Sequence, residues 1–248
     1  MRGQRKKVAV MIPTYNESGS IEALAQEILA LPLGYDLSIL VVDDNSPDGT
    51  GELVARLGVK DTRVTLLTRR KKRGRGAAGV EGFKKCLSLE PDYVIEMDGD
   101  GSHQPRFIPL LLEQAQRDDL VLGSRFVKGG KDADRPFLRR FITFLVRHFI
   151  RRQFRLPVRD VSSGFRCFRR EVLEKIDLDD LISAGPSVVL EILYKAYLLN
   201  FKISEVPIIF ADRKKGKTKL TMFTLLETLL LTFKFKRIYR ASTPKPAP

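Results

Sequence analysis

The 248-residue sequence has no tryptophan, only two cysteines and no long uninterrupted apolar run. Cys86 and Cys167 lack the C-x-x-C spacing of zinc or redox sites, so we expect two core thiols in a reducing compartment. The longest apolar stretch, residues 225–233, contains Glu227 and is shorter than the ~20 residues that a membrane span requires. The basic residues 1–7 precede an apolar run that ends at Pro13, so we expect no signal peptide. These absences argue against a disulfide scaffold and a membrane-spanning protein.

Acidic residues are also too few to balance the lysines and arginines, and the formal net charge is +14. Such an excess requires an anionic partner, for which nucleic acid, phosphorylated substrates and acidic lipid headgroups are candidates. A chain of this length fits one large domain, with or without an appended arm, and buries roughly three quarters of its unfolded surface.

Strand-like and helical segments alternate through the first half of the chain. The strand-like runs are residues 8–12, 38–42, 64–67, 93–97 and 120–122. The segments with helical spacing are residues 20–30, 51–57, 77–87 and 105–116. This alternation predicts an α/β fold with right-handed crossovers and a mainly parallel sheet that is covered by helices on both faces.

The pattern changes in the second half. Three helices are predicted, at 136–155, 188–199 and 221–235, and two strands, at 165–168 and 203–210. The sequence therefore predicts a main domain over residues 1–220, a C-terminal amphipathic helix over 221–240 and a disordered tail over 241–248.

Two carboxylates, Asp98 and Asp100, follow the predicted fourth strand. Ligands of open α/β sheets bind outside the carboxyl ends of the strands. Paired carboxylates repel each other unless a cation lies between them, and hard oxygen ligands suit Mg²⁺ or Mn²⁺ bound to a diphosphate. The alternative is an acidic β-turn in which Gly99 supplies an unusual backbone angle.

Polar loops also follow the first two predicted strands. The first contains Pro13, Tyr15 and Glu17, where a nucleotide would lie, although an ordinary turn and helix cap would look similar. The second begins with Asp43 and Asp44, and an acid there can accept hydrogen bonds from a base or a ribose hydroxyl.

Residues 74–79 match G-x-G-x-x-G, but the basic residues that separate them from the preceding strand argue against a dinucleotide fingerprint. A basic loop at a glycine-rich helix start can anchor phosphates instead. Arg125 and Arg139 suit a second phosphate, and His103 is interpreted as a residue supporting the metal site. The basic loop 213–219 either closes over a polyanion or forms a charged hairpin.

The segment 141–152 interleaves aromatic and aliphatic residues with arginine. Helices of this kind lie in the headgroup region of anionic membranes. A core-facing helix with a basic outer face would have the same composition, so both interpretations remain open.

Taken in order, these motifs resemble glycosyltransferase family 2, with the GT-A fold, and within it the dolichol-phosphate mannosyltransferases and related polyprenyl-phosphate sugar transferases. The resemblance covers roughly residues 8–220 and is carried by IPTYNE, VVDDNSPDGT, GRGAAGVEGF, MDGDGSHQP, GSRFVKGG, DVSSGFR, EVPIIF and DRKKGKTKL. It implies a Rossmann-like three-layer fold with a mainly parallel mixed sheet and C-terminal interfacial helices.

The resemblance also implies a reaction: inverting transfer of a hexose, with mannose from GDP-mannose as the default, to dolichyl or polyprenyl monophosphate at the cytoplasmic face of a membrane. It implies a nucleotide pocket, a metal site for Mg²⁺ or Mn²⁺, and a set of phosphate-binding residues. The pocket residues are Pro13, Tyr15, Glu17, Asp43 and Asp44, the metal ligands Asp98 and Asp100, and the phosphate-binding residues Arg125, Arg139 and Arg213, with Thr143 and Lys219 nearby. Ser102 stands where some relatives carry a ligating Gln, so no third protein ligand is expected.

Several alternatives remain. The donor is a UDP-sugar of the glucose type in one of them, and the acceptor is soluble in another. The absence of tryptophan argues against processive synthases, which carry Q-x-x-R-W. A nucleic-acid partner is not expected, because acidic loops at the sheet edge would repel a phosphate backbone. The protein either requires separate membrane subunits or acts alone as a peripheral membrane protein.

Overall fold

The computed structural model describes residues 5–70, 74–132, 137–183, 185–211 and 231–239. Its centre is a seven-stranded sheet in the order β3-β2-β1-β4-β7-β5-β8. The strands are β1 (Lys7–Thr14), β2 (Asp36–Asp43), β3 (Val64–Thr68), β4 (Tyr93–Glu96), β5 (Leu120–Ser124), β7 (Arg166–Arg169) and β8 (Ile203–Pro207). Strand β7 runs antiparallel to β4 and β5, and all other neighbours in the sheet are parallel. The short strands β6 (Lys131–Asp132) and β9 (Ile209–Phe210) form a separate parallel pair.

Eight α-helices lie within the described residues. They are α1 (Ile21–Leu29), α2 (Thr50–Lys60), α3 (Arg75–Leu87), α4 (Ile108–Ala115), α5 (Phe137–Phe154), α6 (Arg170–Lys175), α7 (Val188–Leu198) and α8 (231–239). A 3-10 turn, Pro105–Phe107, leads into α4. None of the helices in the described segments combines the length and apolarity that crossing a bilayer would take.

The apolar side chains of the sheet alternate between two cores. Val8, Val10 and Ile12 of β1 enter one core with residues of α1, α2 and α4. Ala9 and Met11 enter the other core with residues of α3, α6, α7 and α8. Because successive side chains of a strand point to opposite faces, a β1 buried on both sides requires helices on both faces. This arrangement confirms the predicted three-layer α/β fold with a mainly parallel mixed sheet.

The sequence prediction of a single strand over residues 203–210 is wrong. The ladder with β5 ends at Pro207, and the carbonyl of Ile208 accepts a hydrogen bond from the amide of Lys131 at 2.9 Å. The chain thus changes partner from β5 to β6 within one residue, which separates β8 from β9. Helix α6 was also missed, because its six residues are too few to show a helical period.

The last described helix continues to residue 239, beyond the apolar-rich run that ends at 235 and within the range 221–240 predicted for the C-terminal amphipathic helix. Phe235 and Tyr239 are buried, and the Tyr239 hydroxyl donates to the Asp180 carbonyl at 2.9 Å and to the Glu191 carboxylate. These contacts attach α8 to the segment before α7 and to α7 itself. The first part of the predicted helix, 221–230, and the predicted tail, 241–248, lie outside the described residues.

Candidate functional site

Three polar loops meet at the carboxyl edge of the sheet. In the parallel register Thr14 of β1 pairs with Asp43 of β2, and Met11 of β1 pairs with Glu96 of β4. The loops that follow these strands therefore leave the sheet at the same edge, as the alternation of elements predicted. Gly99 lies so close to β1 that an added Cβ would be 2.9 Å from the Thr14 methyl group. The first and fourth loops are thus in direct contact.

Asp43 organises the second of these loops. It is 1% exposed, and its carboxylate accepts hydrogen bonds from the Thr14 hydroxyl at 3.0 Å, the Ser46 amide at 2.9 Å and the Ser46 hydroxyl at 2.5 Å. The predicted pocket residues are half-buried: Pro13 lies within β1, and Tyr15 and Glu17 lie on the loop that follows it. The structure thus brings the predicted nucleotide-binding loops together.

Asp44 binds the residue that precedes α3. Its carboxylate forms an ion pair with the buried Arg69 and accepts a hydrogen bond from the Gly74 amide at 2.7 Å. Gly74 has φ +132°, a backbone conformation that residues other than glycine rarely adopt. The Gly74 amide at the start of this helix is therefore bonded to a protein carboxylate in this structure.

Arg75 links the acids at the end of β4. Its guanidinium donates to Glu96 Oε1 at 2.8 Å and to Asp98 Oδ1 at 3.1 Å. Burial opposes the charged form of Arg75, but the charges of Glu96 and Asp98 outweigh it and raise the pKa of Arg75 above its ordinary value. The Glu96 side chain is almost wholly buried, whereas the Asp98 side chain is 32% exposed.

Arg166 of β7 lies opposite Glu96 in the antiparallel register. It has no exposed surface, and its Nε donates to the Ser163 carbonyl at 2.6 Å. Burial lowers the pKa of Arg166 to about 10, although the nearby Glu96 raises it. Glu96 therefore lies between two arginines.

The loop after β4 is held by internal hydrogen bonds. Asp100 Oδ1 accepts from the Ser102 amide at 3.0 Å and from the Ser102 hydroxyl at 2.5 Å. The Asp98 amide donates to His103 Nδ1 at 3.0 Å, and the buried imidazole stacks on Phe165 with ring centroids 5.1 Å apart. Burial lowers the pKa of His103 although Asp98 and Asp100 raise it, so the ring is neutral and supports the loop.

The donor set at this loop fits a hard divalent cation. The described residues contain no cluster of three or more His, Cys, Asp and Glu side chains that could hold a metal ion. Mg²⁺ and Mn²⁺ take one or two carboxylates and complete their coordination with water and substrate phosphates. The backbone at Gly164 approaches Asp98 closely, since a Cβ there would lie 3.5 Å from both Asp98 carboxylate oxygens.

Arg125 lies at the end of the site near β5 and is buried. Its Nε and one terminal nitrogen donate to the two Asp160 oxygens at 2.7 Å each, and the same terminal nitrogen donates to the Ser162 hydroxyl at 2.8 Å. Asp160 has no exposed surface. Arg125 is thus held rigidly by the loop that precedes β7.

The other predicted phosphate-binding residues are only partly described. Arg139 lies within α5, but its side chain is outside the described part of the structure, and Thr143 is half-buried one turn later. Arg213 and Lys219 lie outside the described residues. Arg147, which sequence reasoning did not select, packs on the Phe126 ring with its guanidinium carbon 3.9 Å from the ring centroid.

Sequence reasoning also missed Arg75, Glu96, Arg166 and the partner role of Asp160. One signal was present: Glu96 is an acid inside an otherwise apolar strand, and a buried carboxylate requires a cationic or hydrogen-bonding partner. The identity of the partners was not accessible, because they lie on distant segments of the chain.

The fold is a three-layer α/β fold of the GT-A type. The structure superimposes on glucosyl-3-phosphoglycerate synthase from Mycobacterium tuberculosis, crystallised with Mn²⁺, UDP-glucose and phosphoglyceric acid, with a TM-score of 0.68 and 18% identity, covering 94% of this chain and 80% of that one. Mannosyl-3-phosphoglycerate synthase from Rubrobacter xylanophilus gives a TM-score of 0.65 at 14% identity, covering 98% and 77%. These likenesses establish the fold.

The family follows from the sequence comparisons. A model described as "Glycosyl transferase family 2" matches residues 9–177. The chain is 38% identical over 216 residues to undecaprenyl-phosphate mannosyltransferase of Micrococcus luteus, covering 87% of this chain and 88% of the relative. It is 36% identical over 227 residues to polyprenol monophosphomannose synthase of Mycolicibacterium smegmatis, covering 90% and 84%. It is 37% identical to dolichol-phosphate mannosyltransferase of Pyrococcus furiosus, covering 94% of this chain but only 63% of that longer protein. The chain belongs to glycosyl transferase family 2, which confirms the resemblance, and it is a glycosyltransferase.

Proposed function

We propose that the protein transfers a hexose, mannose from GDP-mannose, to a polyprenyl monophosphate of the dolichyl or bacterial type at a membrane surface, with inversion and with Mg²⁺ or Mn²⁺ as cofactor. The observation that carries the proposal is the match to two relatives, over most of the length of each, that are named undecaprenyl-phosphate mannosyltransferase and polyprenol monophosphomannose synthase. The acidic pair at the carboxyl end of β4 supports the use of a diphosphate donor.

The nucleoside of the donor would bind between the loops after β1 and β2. Pro13, Tyr15 and Glu17 would line one side of this pocket, and Asp43 and Asp44 would line the other. Both acids are already fixed by hydrogen bonds or ion pairs within the protein, so their orientation does not depend on the ligand. A pocket prepared in this way loses little entropy when the donor binds.

Asp98 and Asp100 would hold the divalent cation against the donor diphosphate. Neutralisation of the charge on the departing diphosphate is the chemistry that such a cation supplies. His103 and Ser102 hold the loop that carries both carboxylates, through the Asp98 amide and Asp100 Oδ1. The two ligands are therefore presented on a backbone of fixed shape.

The acceptor would attack directly. A phosphate monoester has a second pKa near 6 and is largely a dianion at neutral pH, so no strong general base is needed. One of its oxygens forms the new bond to the anomeric carbon while the bond from that carbon to the nucleoside diphosphate breaks, and the electron pair leaves with the diphosphate. A single displacement inverts the configuration.

Cationic side chains would align the two mutually repelling phosphates. Arg125, Arg139 and Arg213 are proposed for this role, with Thr143 and Lys219 beside them. Arg125 is held by Asp160, so its position is defined before the acceptor arrives.

A membrane surface would deliver the lipid acceptor. Phe144, Leu145 and Phe149 on α5 and Phe233 on α8 are all more than 40% exposed, and the Phe149 and Phe233 ring centroids lie 6.1 Å apart. With a net charge of +14, this apolar surface suits the headgroup region of anionic lipid. We propose peripheral attachment at the cytoplasmic face.

The proposal is tested by incubating the purified protein with a detergent-dispersed polyprenyl phosphate, Mn²⁺ and either GDP-mannose or UDP-glucose, and by detecting the glycolipid by mass spectrometry. Asp98→Ala and Asp100→Ala are expected to abolish metal-dependent transfer without changing the circular dichroism spectrum. Asp61→Ala is the control, because Asp61 pairs with Arg63 at the opposite edge of the sheet. Near-normal turnover by either site variant would refute the metal assignment. Transfer from UDP-glucose but not from GDP-mannose would show that the donor is a UDP-sugar.

A further inference from the structure

Arg75 forms an ion pair with Asp98, one of the two carboxylates that are proposed to bind the metal. Arg75 is the first residue of α3, and its two terminal nitrogens contact Glu96 and Asp98 at 2.8 and 3.1 Å. A guanidinium at that distance from Asp98 and a divalent cation on the same carboxylate would repel each other strongly. Arg75 and the cation therefore compete for Asp98.

Glu96 allows Arg75 to leave Asp98 without leaving the site. It remains bonded to Arg75 through Oε1, while its Oε2 is buried without a hydrogen-bond partner. The two terminal nitrogens of Arg166, which faces Glu96 across the β4–β7 ladder, are also buried without partners. The charge of Glu96 is thus balanced by two arginines, of which Arg75 is the more exposed.

The loop before β7 approaches this pair closely at Gly164. A Cβ at Gly164 would be 3.2 Å from an Arg75 terminal nitrogen and 3.5 Å from the Asp98 oxygens, so a side chain there would press on the guanidinium. The Arg75 side chain is 22% exposed. Its guanidinium therefore borders solvent at the site.

We propose that Arg75 is a positioning residue that acts as a built-in counter-cation for Asp98 and weakens the binding of a divalent cation when no donor is present. The inference rests on the proposed metal site at Asp98 and Asp100. Its consequence is that the donor-free protein holds the cation weakly, so that cation and diphosphate bind together.

The test is a titration of the donor-free protein with Mn²⁺, with free Mn²⁺ measured by electron paramagnetic resonance. Arg75→Gln is expected to bind Mn²⁺ about tenfold more tightly than wild type, a change that corresponds to about 1.4 kcal/mol. A lysine cannot bridge two carboxylates as a guanidinium does, so Arg75→Lys should lie between wild type and Arg75→Gln. A purely structural role for Arg75 would weaken or leave unchanged the affinity for Mn²⁺.

Arg63→Gln is the matched control, because it removes an arginine from an ion pair far from the site and should not change Mn²⁺ affinity.

Asp98→Asn distinguishes a failure of the inference about Arg75 from a failure of the proposed metal site. If it abolishes Mn²⁺ binding while Arg75→Gln binds no more tightly than wild type, the inference is overturned and the proposed metal site stands. If Asp98→Asn binds Mn²⁺ as wild type does, the metal site itself is wrong and the inference is overturned with it. If Arg75→Gln does not fold, Arg75→Lys decides: tighter binding than wild type supports the inference, and equal binding overturns it.

Discussion

Asp160 is a fully buried carboxylate whose partner is itself a buried cation. It accepts three hydrogen bonds from Arg125, one from the amide at 3.2 Å and two from the guanidinium at 2.7 Å. Two charges removed from water in this way stabilise the fold only as a pair, because each alone would be left without compensation. The pair links the loop after β5 to the loop before β7.

We expect Asp160→Asn to lower the free energy of unfolding by about 3–5 kcal/mol, because Arg125 would remain buried without an opposing charge. The change is measured by urea denaturation followed by circular dichroism. Glu174→Gln is the control, since it breaks an exposed i,i+4 pair with Arg170 that contributes little. A loss in Asp160→Asn as small as in the control would mean that the pair is dispensable.

The same carboxylate predicts an acid dependence. Burial alone would raise the pKa of Asp160, but Arg125 outweighs it and holds this pKa below the ordinary value of 3.8. The unfolded chain then binds the proton more readily, so the stabilisation is present above about pH 4 and is lost as the pH falls further. Wild type should therefore lose stability more steeply than Asp160→Asn below pH 4, as measured by urea midpoints. Parallel curves for the two proteins would contradict this assignment.

Individual residues show how much of the site could be predicted from the sequence. The acids at strand ends were predictable, because parallel strands bring their carboxyl ends to one edge. The pairing of Arg75 with Glu96 and of Arg125 with Asp160 was not, because each joins residues 21 or 35 positions apart through the sheet order. Only the three-dimensional register of β4, β5 and β7 brings these partners together.

At the level of elements, the first five strands and four helices were predicted to within a few residues, since a strict βα alternation leaves few topologies. The position of β7 between β4 and β5 was not predicted, because nothing in a four-residue strand specifies its direction. The division of 203–210 into β8 and β9 depends on a partner, β6, that consists of two residues.

Helix α3 packs unusually close to the sheet through Gly82. An added Cβ there would lie 2.9 Å from both Cγ and Sδ of Met11 and 3.0 Å from Val42. We expect Gly82→Ala to lower the free energy of unfolding by about 1–3 kcal/mol through overpacking. Thermal and urea denaturation would measure the loss.

Gly79 is the control on the same helix. A Cβ at that position meets only one atom within 4 Å, at an ordinary contact distance of 3.9 Å. Gly79→Ala should be neutral or should stabilise the protein by up to about 1 kcal/mol, because alanine is the better helix former. If both variants lost the same stability, the close approach of Gly82 to Met11 would not be the cause of the loss.

At the scale of the whole molecule, the exposed aromatic residues of α5 and α8 form one surface beside the site. We expect the double variant Phe144→Ser, Phe233→Ser to lose most of its binding to anionic vesicles in a flotation assay. Both rings are about half exposed, so their removal should cost the fold little. Higher salt should weaken the remaining binding, because the basic residues act through screened charge.

Val59→Ser on α2 is the control, since Val59 is 87% exposed but lies away from this surface. Unchanged flotation of the double variant would argue against the membrane-facing surface and would favour a soluble acceptor. Loss of flotation with retained transfer to a detergent-dispersed acceptor would separate membrane attachment from chemistry.

The reversed direction of β7 has a consequence for how the site is assembled during synthesis. Because this strand enters the sheet from the carboxyl edge, residues 160–164 reach the same edge as Asp98 and Asp100, although they are made some sixty residues later. A nascent chain that ends before residue 160 would contain every acid of the proposed metal pair but neither Arg166 nor the carboxylate that holds Arg125. The acidic pair and Arg75 are synthesised first, whereas Asp160 and Arg166 follow with the strand that lies between β4 and β5.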